Sequence, residues 1–145
     1  MIRRFGTPPR RAKDYRRRAG VYAILMRGER VLLTVQSAPV VELQLPGGGI
    51  DAHESPLQAL HREVLEETGW GIAAPRRLGV FRRFTYMPEY ALWAEKLCTV
   101  FLARPTRVLA PVREPHHRAC WLALDEAIER LGNDGDRHFL RRLRG

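Results

Sequence analysis

At 145 residues, 45% hydrophobic and 28% charged, the chain has the length and balance of one folded domain with a real core. No apolar run nears the ~18–20 residues a membrane span needs, and two cysteines, Cys98 and Cys120, supply neither a disulfide framework nor a zinc-ligand spacing. The net charge of +9 sits at the ends: residues 1–18 carry seven Arg and Lys13 against Asp14, residues 137–145 carry four Arg, and the stretch between is slightly acidic.

The expected organisation is a basic N-terminal arm over 1–18 and a single domain over 19–145. Such an arm can hold a polyanion such as RNA, or it can be a solvated, partly disordered tail. Its Arg-rich, acid-poor composition is that of transit peptides, but Pro8, Pro9 and the scarcity of apolar residues argue against one, and no secretory segment follows Met1. Two reduced thiols and no span point to a cytoplasmic protein. A homodimer is left open.

In chain order, Val21–Met26 and Val31–Gln36 read as two strands joined across Arg27-Gly28-Glu29-Arg30, with Gly28 supplying the turn. Glu42–Leu45 is a short extended piece before Pro46. Gly47-Gly48-Gly49 reads as a turn. Ser55 is a good N-cap, Pro56 suits the first helical position, and Gln58 completes a capping box. Leu57, Leu60, Val64 and Thr68 then share one helical face, and Gly69 is placed to end the helix in a left-handed conformation. Leu78–Tyr86 and Leu92–Ala103 are expected strands around a Met87–Ala91 loop. Ala119–Leu122 is a further strand, Asp125–Leu131 a helix, and Arg137–Leu143 a short last helix.

The stretch Gly48–Trp70 carries the chemistry. Gly48 is followed at fixed spacing by Glu54, then Arg62-Glu63-Val64, Glu66-Glu67 and Gly69-Trp70. Glu63, Glu66 and Glu67 stand at i, i+3 and i+4, so a helix brings their carboxylates to one side. Three anions that close repel, and a hard divalent cation with oxygen ligands, Mg²⁺ or Mn²⁺, is the usual agent that offsets the cost.

This spacing resembles the Nudix box, the metal-binding motif of the Nudix hydrolases, and seven matching residue types make chance agreement on the order of one in a million. The resemblance implies an α/β (α+β) fold in which a mixed β-sheet is sandwiched between helices. It implies Mg²⁺-dependent hydrolysis of a pyrophosphate linkage in a nucleoside diphosphate joined to another moiety. It also implies the Gly47 carbonyl, Glu63 and Glu67 as metal ligands, and Arg62 as the residue that pairs with and fixes a glutamate. The general base is left between Glu63 and Glu66, with Glu114 as the candidate outside the motif, and Glu54 is a partner behind the ligands or a water-mediated ligand. Glu114 resembles a late glutamate that reaches the metals in some members, and reads equally as a surface acid. His53, His116 and His117 read as surface residues. Arg82, Arg83 and Tyr86 lie in an aromatic and basic stretch suited to substrate. Two further readings are an RNA 5′-end or dinucleoside-polyphosphate pyrophosphohydrolase, and a non-catalytic nucleotide- or RNA-binding module, although all four of Arg62, Glu63, Glu66 and Glu67 are present.

Overall fold

In the computed structural model, which describes residues 2–11, 13–38 and 41–144, the first hairpin forms where Gly28 allows it. Met1 and Ala12 of the arm, and Pro39, Val40 and Gly145 of the domain, lie outside the described residues. Gly28 takes φ 60°, and β2 (Arg16–Arg27) turns back into β3 (Arg30–Gln36) with Arg27 opposite Arg30. β2 begins at Arg16, ahead of its apolar run, because it lies parallel to β7 (Leu92–Val108) from Arg16↔Ala94 to Leu25↔Ala103. Backbone pairing to a strand distant in sequence, not side-chain pattern, extends it into the arginines.

The arm itself contributes β1 (Arg3–Arg4), parallel to β6 (Trp70–Met87). The remaining strands are β4 (Glu42–Gln44), β5 (Gly47–Gly49) and β8 (His117–Ala123). The order β1-β6-β7-β2-β3-β4, with β5 paired to β2 and β8 to β3, makes a mixed eight-stranded sheet. The Pro46–Gly49 run is therefore not a free turn: Gly47, Gly48 and Gly49 pair with Tyr22, Val21 and Gly20. β6 and β7 both run longer than their apolar stretches, and the loop between them is a short 3-10 turn at Pro88–Tyr90.

Side chains alternating along the strands build two cores, one on each face. Val21, Ala23 and Leu25 of β2 pack with Leu32, Phe101 and Ala103 against α1 (Pro56–Thr68). Ile24, Val31, Leu33, Cys98 and Val100 face the opposite way, against α2 (Leu124–Arg130) and α3 (Asp134–Arg144). The sheet is thus sandwiched between helices, as the sequence implied. Among the described residues no helix is long and apolar enough to cross a membrane. Cys98 and Cys120 are free thiols, and burial pushes Cys98 up to about 12.

The last helix is tied to the sheet by one buried carboxylate. Asn133 Oδ1 accepts the Asp136 N–H (2.8 Å), capping α3, and Asp136 Oδ2 accepts the Leu45 N–H (3.2 Å). Asp136 is 2% exposed, and burial raises its carboxyl to about 6. The fold therefore favours the neutral acid. That contribution is complete below the ordinary value of 3.8 and is lost as pH rises through about 6. Asp136→Asn keeps the acceptor for Leu45 but removes the titration. We expect its chemical-denaturation stability to be flatter than wild type between pH 4 and 8 and higher at pH 8, by on the order of 1–3 kcal/mol. Parallel pH profiles for the two proteins would contradict this.

Candidate active site

α1 is specified at both ends. Gln58 N–H donates to Ser55 Oγ (3.1 Å), the Ser55 N–H donates to Gln58 Oε1 (2.8 Å), and Gly69 ends the helix at φ 79°. The buried face comprises Ala59, Leu60, Val64, Glu67 and Thr68. Leu57, expected on that face, is 45% exposed. The helix is turned so that its glutamates, not Leu57, meet the all-glycine β5. A strand without side chains leaves room for that approach: a Cβ on Gly48 would stand 2.6 Å from the Glu63 carboxyl carbon.

Arg62 organises the acidic side. Its Nε and Nη2 grip both Glu54 oxygens (2.6 and 2.8 Å), Nη1 donates to Glu63 Oε1 (2.9 Å) and Glu66 Oε2 (3.2 Å), and Nη2 donates to the Gly49 carbonyl (3.0 Å). Asp51 adds an ion pair at 3.4 Å. These hydrogen bonds hold Glu54 down to about 2 and raise the guanidinium further above its ordinary range. The Asp51 N–H also donates to Glu54 Oε1 (2.9 Å), so both Glu54 oxygens are engaged by protein.

Glu67 is held from the other side. Its Oε1 accepts the Gly47 N–H (3.0 Å), and its Oε2 lies 3.4 Å from His117 Nε2. The His117 Nδ1 is bonded to Thr34 Oγ1 (2.8 Å). A Thr34 hydroxyl donating to Nδ1 would leave the imidazole proton on Nε2, facing the carboxylate. Glu67 is 5% exposed. Burial, with Glu63, Glu114 and Glu66 nearby, pushes its carboxyl well above the usual range; burial likewise raises Glu63.

These groups open on a cavity of ≈ 320 Å³. Gly47, Gly48 and Gly49 form one wall, Glu63, Glu67, Glu114 and His117 another, and Arg18, Lys96 and Tyr90 stand around it. Glu114 arrives by backbone: the Glu66 carbonyl, near the end of α1, accepts the N–H groups of Arg113 (2.8 Å) and Glu114 (3.2 Å).

The structure brings together Gly47, Glu63, Glu67 and Glu114 of the sequence-derived residues and sets Arg62 behind them. Glu66 is bonded to Arg62 and does not line the cavity. Arg82, Arg83 and Tyr86 do not line it either. Arg82 pairs with Glu95 (3.6 Å), and Tyr86 lies against Trp93 with ring centres 5.1 Å apart. Arg83 pairs with Glu42 (3.4 Å) and lines a smaller adjoining recess with Tyr22, Gln44 and Lys96. His117 corrects the sequence reading, since its side chain is 11% exposed and wedged against Glu67. The available signal was Thr34, a lone hydroxyl in an apolar strand that is fully buried and so needs a partner. Arg18 and Lys96 carried no comparable signal.

Two substitutions test this geometry. Gly48→Ala should displace Glu63 and weaken Mn²⁺ binding, read by electron paramagnetic resonance, without unfolding the protein. His117→Ala should weaken it about 10- to 100-fold, the usual cost of losing a group that orients a ligand. Wild-type affinity in either variant would count against the arrangement.

Residues 14–143 match the NUDIX domain. A Bacillus subtilis (strain 168) protein provisionally named an 8-oxo-dGTP diphosphatase is 35% identical over 74 residues, 51% of this chain and 50% of that protein. The RNA pyrophosphohydrolase of Halorhodospira halophila is 51% identical over 41 residues, 28% of this chain and 23% of that one. The match spans half the length of the first relative and less of the second. Among solved structures, the MutT NUDIX hydrolase of Burkholderia pseudomallei superposes with a TM-score of 0.68 at 27% identity, covering 87% of this chain and 97% of that one. A domain match over nearly the whole chain, on a sheet and helices laid out as in that structure, places the chain in the Nudix family.

Proposed function

We propose that the protein is a divalent-metal-dependent pyrophosphohydrolase acting on a nucleotide or nucleotide derivative. The observation that carries this reading is the convergence of Glu63, Glu67 and Glu114 on one cavity beside a glycine strand. Among the described residues no three His, Cys, Asp or Glu side chains are already gathered in a way that could hold an ion. The donor set nevertheless fits Mg²⁺ or Mn²⁺, because the carboxylates of Glu63 and Glu67 and the carbonyl of Gly47 offer only oxygen. Two raised, mutually repelling carboxylates are what such an ion would relieve.

Glu63, Glu67 and the Gly47 carbonyl would hold the metal. When bound, it would neutralise charge on the phosphoryl oxygens and activate water. Glu114 is our choice for the proton acceptor, since it lines the cavity and has no ion pair among the described residues, whereas Glu63 and Glu66 are both engaged by Arg62. Lys96 and Arg18 supply positive charge at the cavity for the substrate phosphates. Arg62 fixes the glutamates and takes no proton.

A second substrate reading, the 5′-triphosphate end of RNA, is supported by the local match to an RNA pyrophosphohydrolase and by Arg18, at the end of the arm, which lines the cavity. The test is Mg²⁺-dependent cleavage, with the nucleotide products separated by chromatography, across nucleoside triphosphates, oxidised ones included, ADP-ribose, dinucleoside polyphosphates and triphosphorylated RNA. Glu67→Gln should lose turnover and metal affinity together. Glu114→Gln should lose kcat by about 10²–10⁴ with metal affinity nearly intact. Full turnover in Glu67→Gln would remove the metal assignment. Full turnover in Glu114→Gln would remove it as base.

A further inference from the structure

Tyr90 stands between the cavity and a second opening. A groove of ≈ 550 Å³, lined by Asp14, Tyr15, Arg16, Tyr90, Leu92 and Trp93 among others, adjoins the cavity at Tyr90, which lines both. Tyr90 is 55% exposed at the tip between β6 and β7, with the Arg18 guanidinium 4.5 Å from its ring centre. Trp93 lies further along, with Arg10 and Lys13 at 5.3 and 5.2 Å from its ring and Tyr15 edge-on at 6.1 Å. The parallel register of β2 on β7 builds this alternation. Arg16 and Arg18 stand opposite Ala94 and Lys96, while Arg17 between them is neutralised by Glu95 (2.9 Å). Among the described residues Arg10, Lys13, Arg16 and Arg18 have no ion-pair partner; Asp14 is the one acid lining the groove.

Aromatic faces interleaved with unneutralised cations are what a flexible polyanion with stacking bases requires. We propose that this groove is a binding track for single-stranded RNA, whose 5′ phosphates enter the cavity and whose following nucleotides run across Tyr90 toward Trp93. The inference rests on the hydrolase reading for what the cavity does with the phosphates, and on the groove alone for the strand. The charge excess of the arm, folded along the sheet by β1 and the start of β2, gives it a partner of opposite sign. Stacking supplies affinity without base identity, so the track would grip many sequences. Its register against the cavity would make chain length, not sequence, the quantity it reads.

The experiment uses the full chain and a labelled single-stranded hexanucleotide RNA with a 5′ hydroxyl, titrated by fluorescence anisotropy in EDTA, so that binding is read without turnover. Trp93→Ala and the exposed pair Lys13→Ser with Arg16→Ser should each raise Kd about tenfold. The pair should also flatten the salt dependence of log Kd by about 1.4. Separately, with Mg²⁺, wild type should show a lower KM for a triphosphorylated hexanucleotide than for a nucleoside triphosphate. Trp93→Ala should abolish that advantage and leave nucleoside triphosphate turnover unchanged. Unchanged Kd in both variants overturns the track. So does a loss confined to the charge variant, which would show attraction without stacking. Tight, groove-dependent binding with no hydrolysis of either substrate would overturn the hydrolase reading and leave the track standing.

Discussion

The architecture of this site follows from one constraint: several carboxylates are packed on one side of a single helix, against protein and not solvent. Left alone, Glu63, Glu66 and Glu67 would repel each other and resist burial. Arg62 prevents this on the solvent side by spanning Glu54, Glu63, Glu66 and the Gly49 carbonyl with one planar group. A lysine could not reach so many acceptors in fixed geometry. The inner carboxylate, Glu67, lies beyond that reach and is steadied by the Gly47 N–H and by His117. The raised carboxyls of Glu63 and Glu67 show what remains uncompensated, and this residual strain is what an added cation would relieve.

The scaffold exists to hold that arrangement. β5 is pure glycine and pairs with β2, so the helix approaches backbone directly and the Gly47 N–H meets Glu67. A Cβ at Gly47 would collide with the Val21 carbonyl, and its φ of 154° already favours glycine. The far end of the helix carries the site too, since the Glu66 carbonyl anchors the segment that delivers Glu114 and, shortly after, His117. Strand, helix and late loop thus meet at one point, the strand through the Gly47 N–H on Glu67 and the loop through backbone bonds to the Glu66 carbonyl.

Much of this was legible in the chain because it is local. The Ser55 cap, the Gln58 box and the Gly69 stop are decided within a few residues, as is the clustering of Glu63, Glu66 and Glu67 on one side of a helix. What was not legible depends on distant partners. β2 reaches back to Arg16 because β7 lies beside it, and no pattern in three consecutive arginines announces a strand. Leu57 is exposed and Glu67 buried because the helix is rotated toward a strand that offers no side chains. His117 read as a loop residue because its partners, Thr34 and Glu67, are supplied by a strand and a helix far away in sequence. Arg82, Arg83 and Tyr86 were placed by composition, and composition does not say which face of a strand meets a cavity.

The central claim is that the fold holds buried carboxylates in wait for a divalent cation, and thermal unfolding against Mn²⁺ concentration tests it most directly. Wild-type Tm should rise saturably by several degrees, the signature of a ligand that binds only the folded state. Glu63→Gln combined with Glu67→Gln should unfold at or above the wild-type Tm without metal and show no rise with it. A flat wild-type curve, or an equal rise in the double variant, would contradict it.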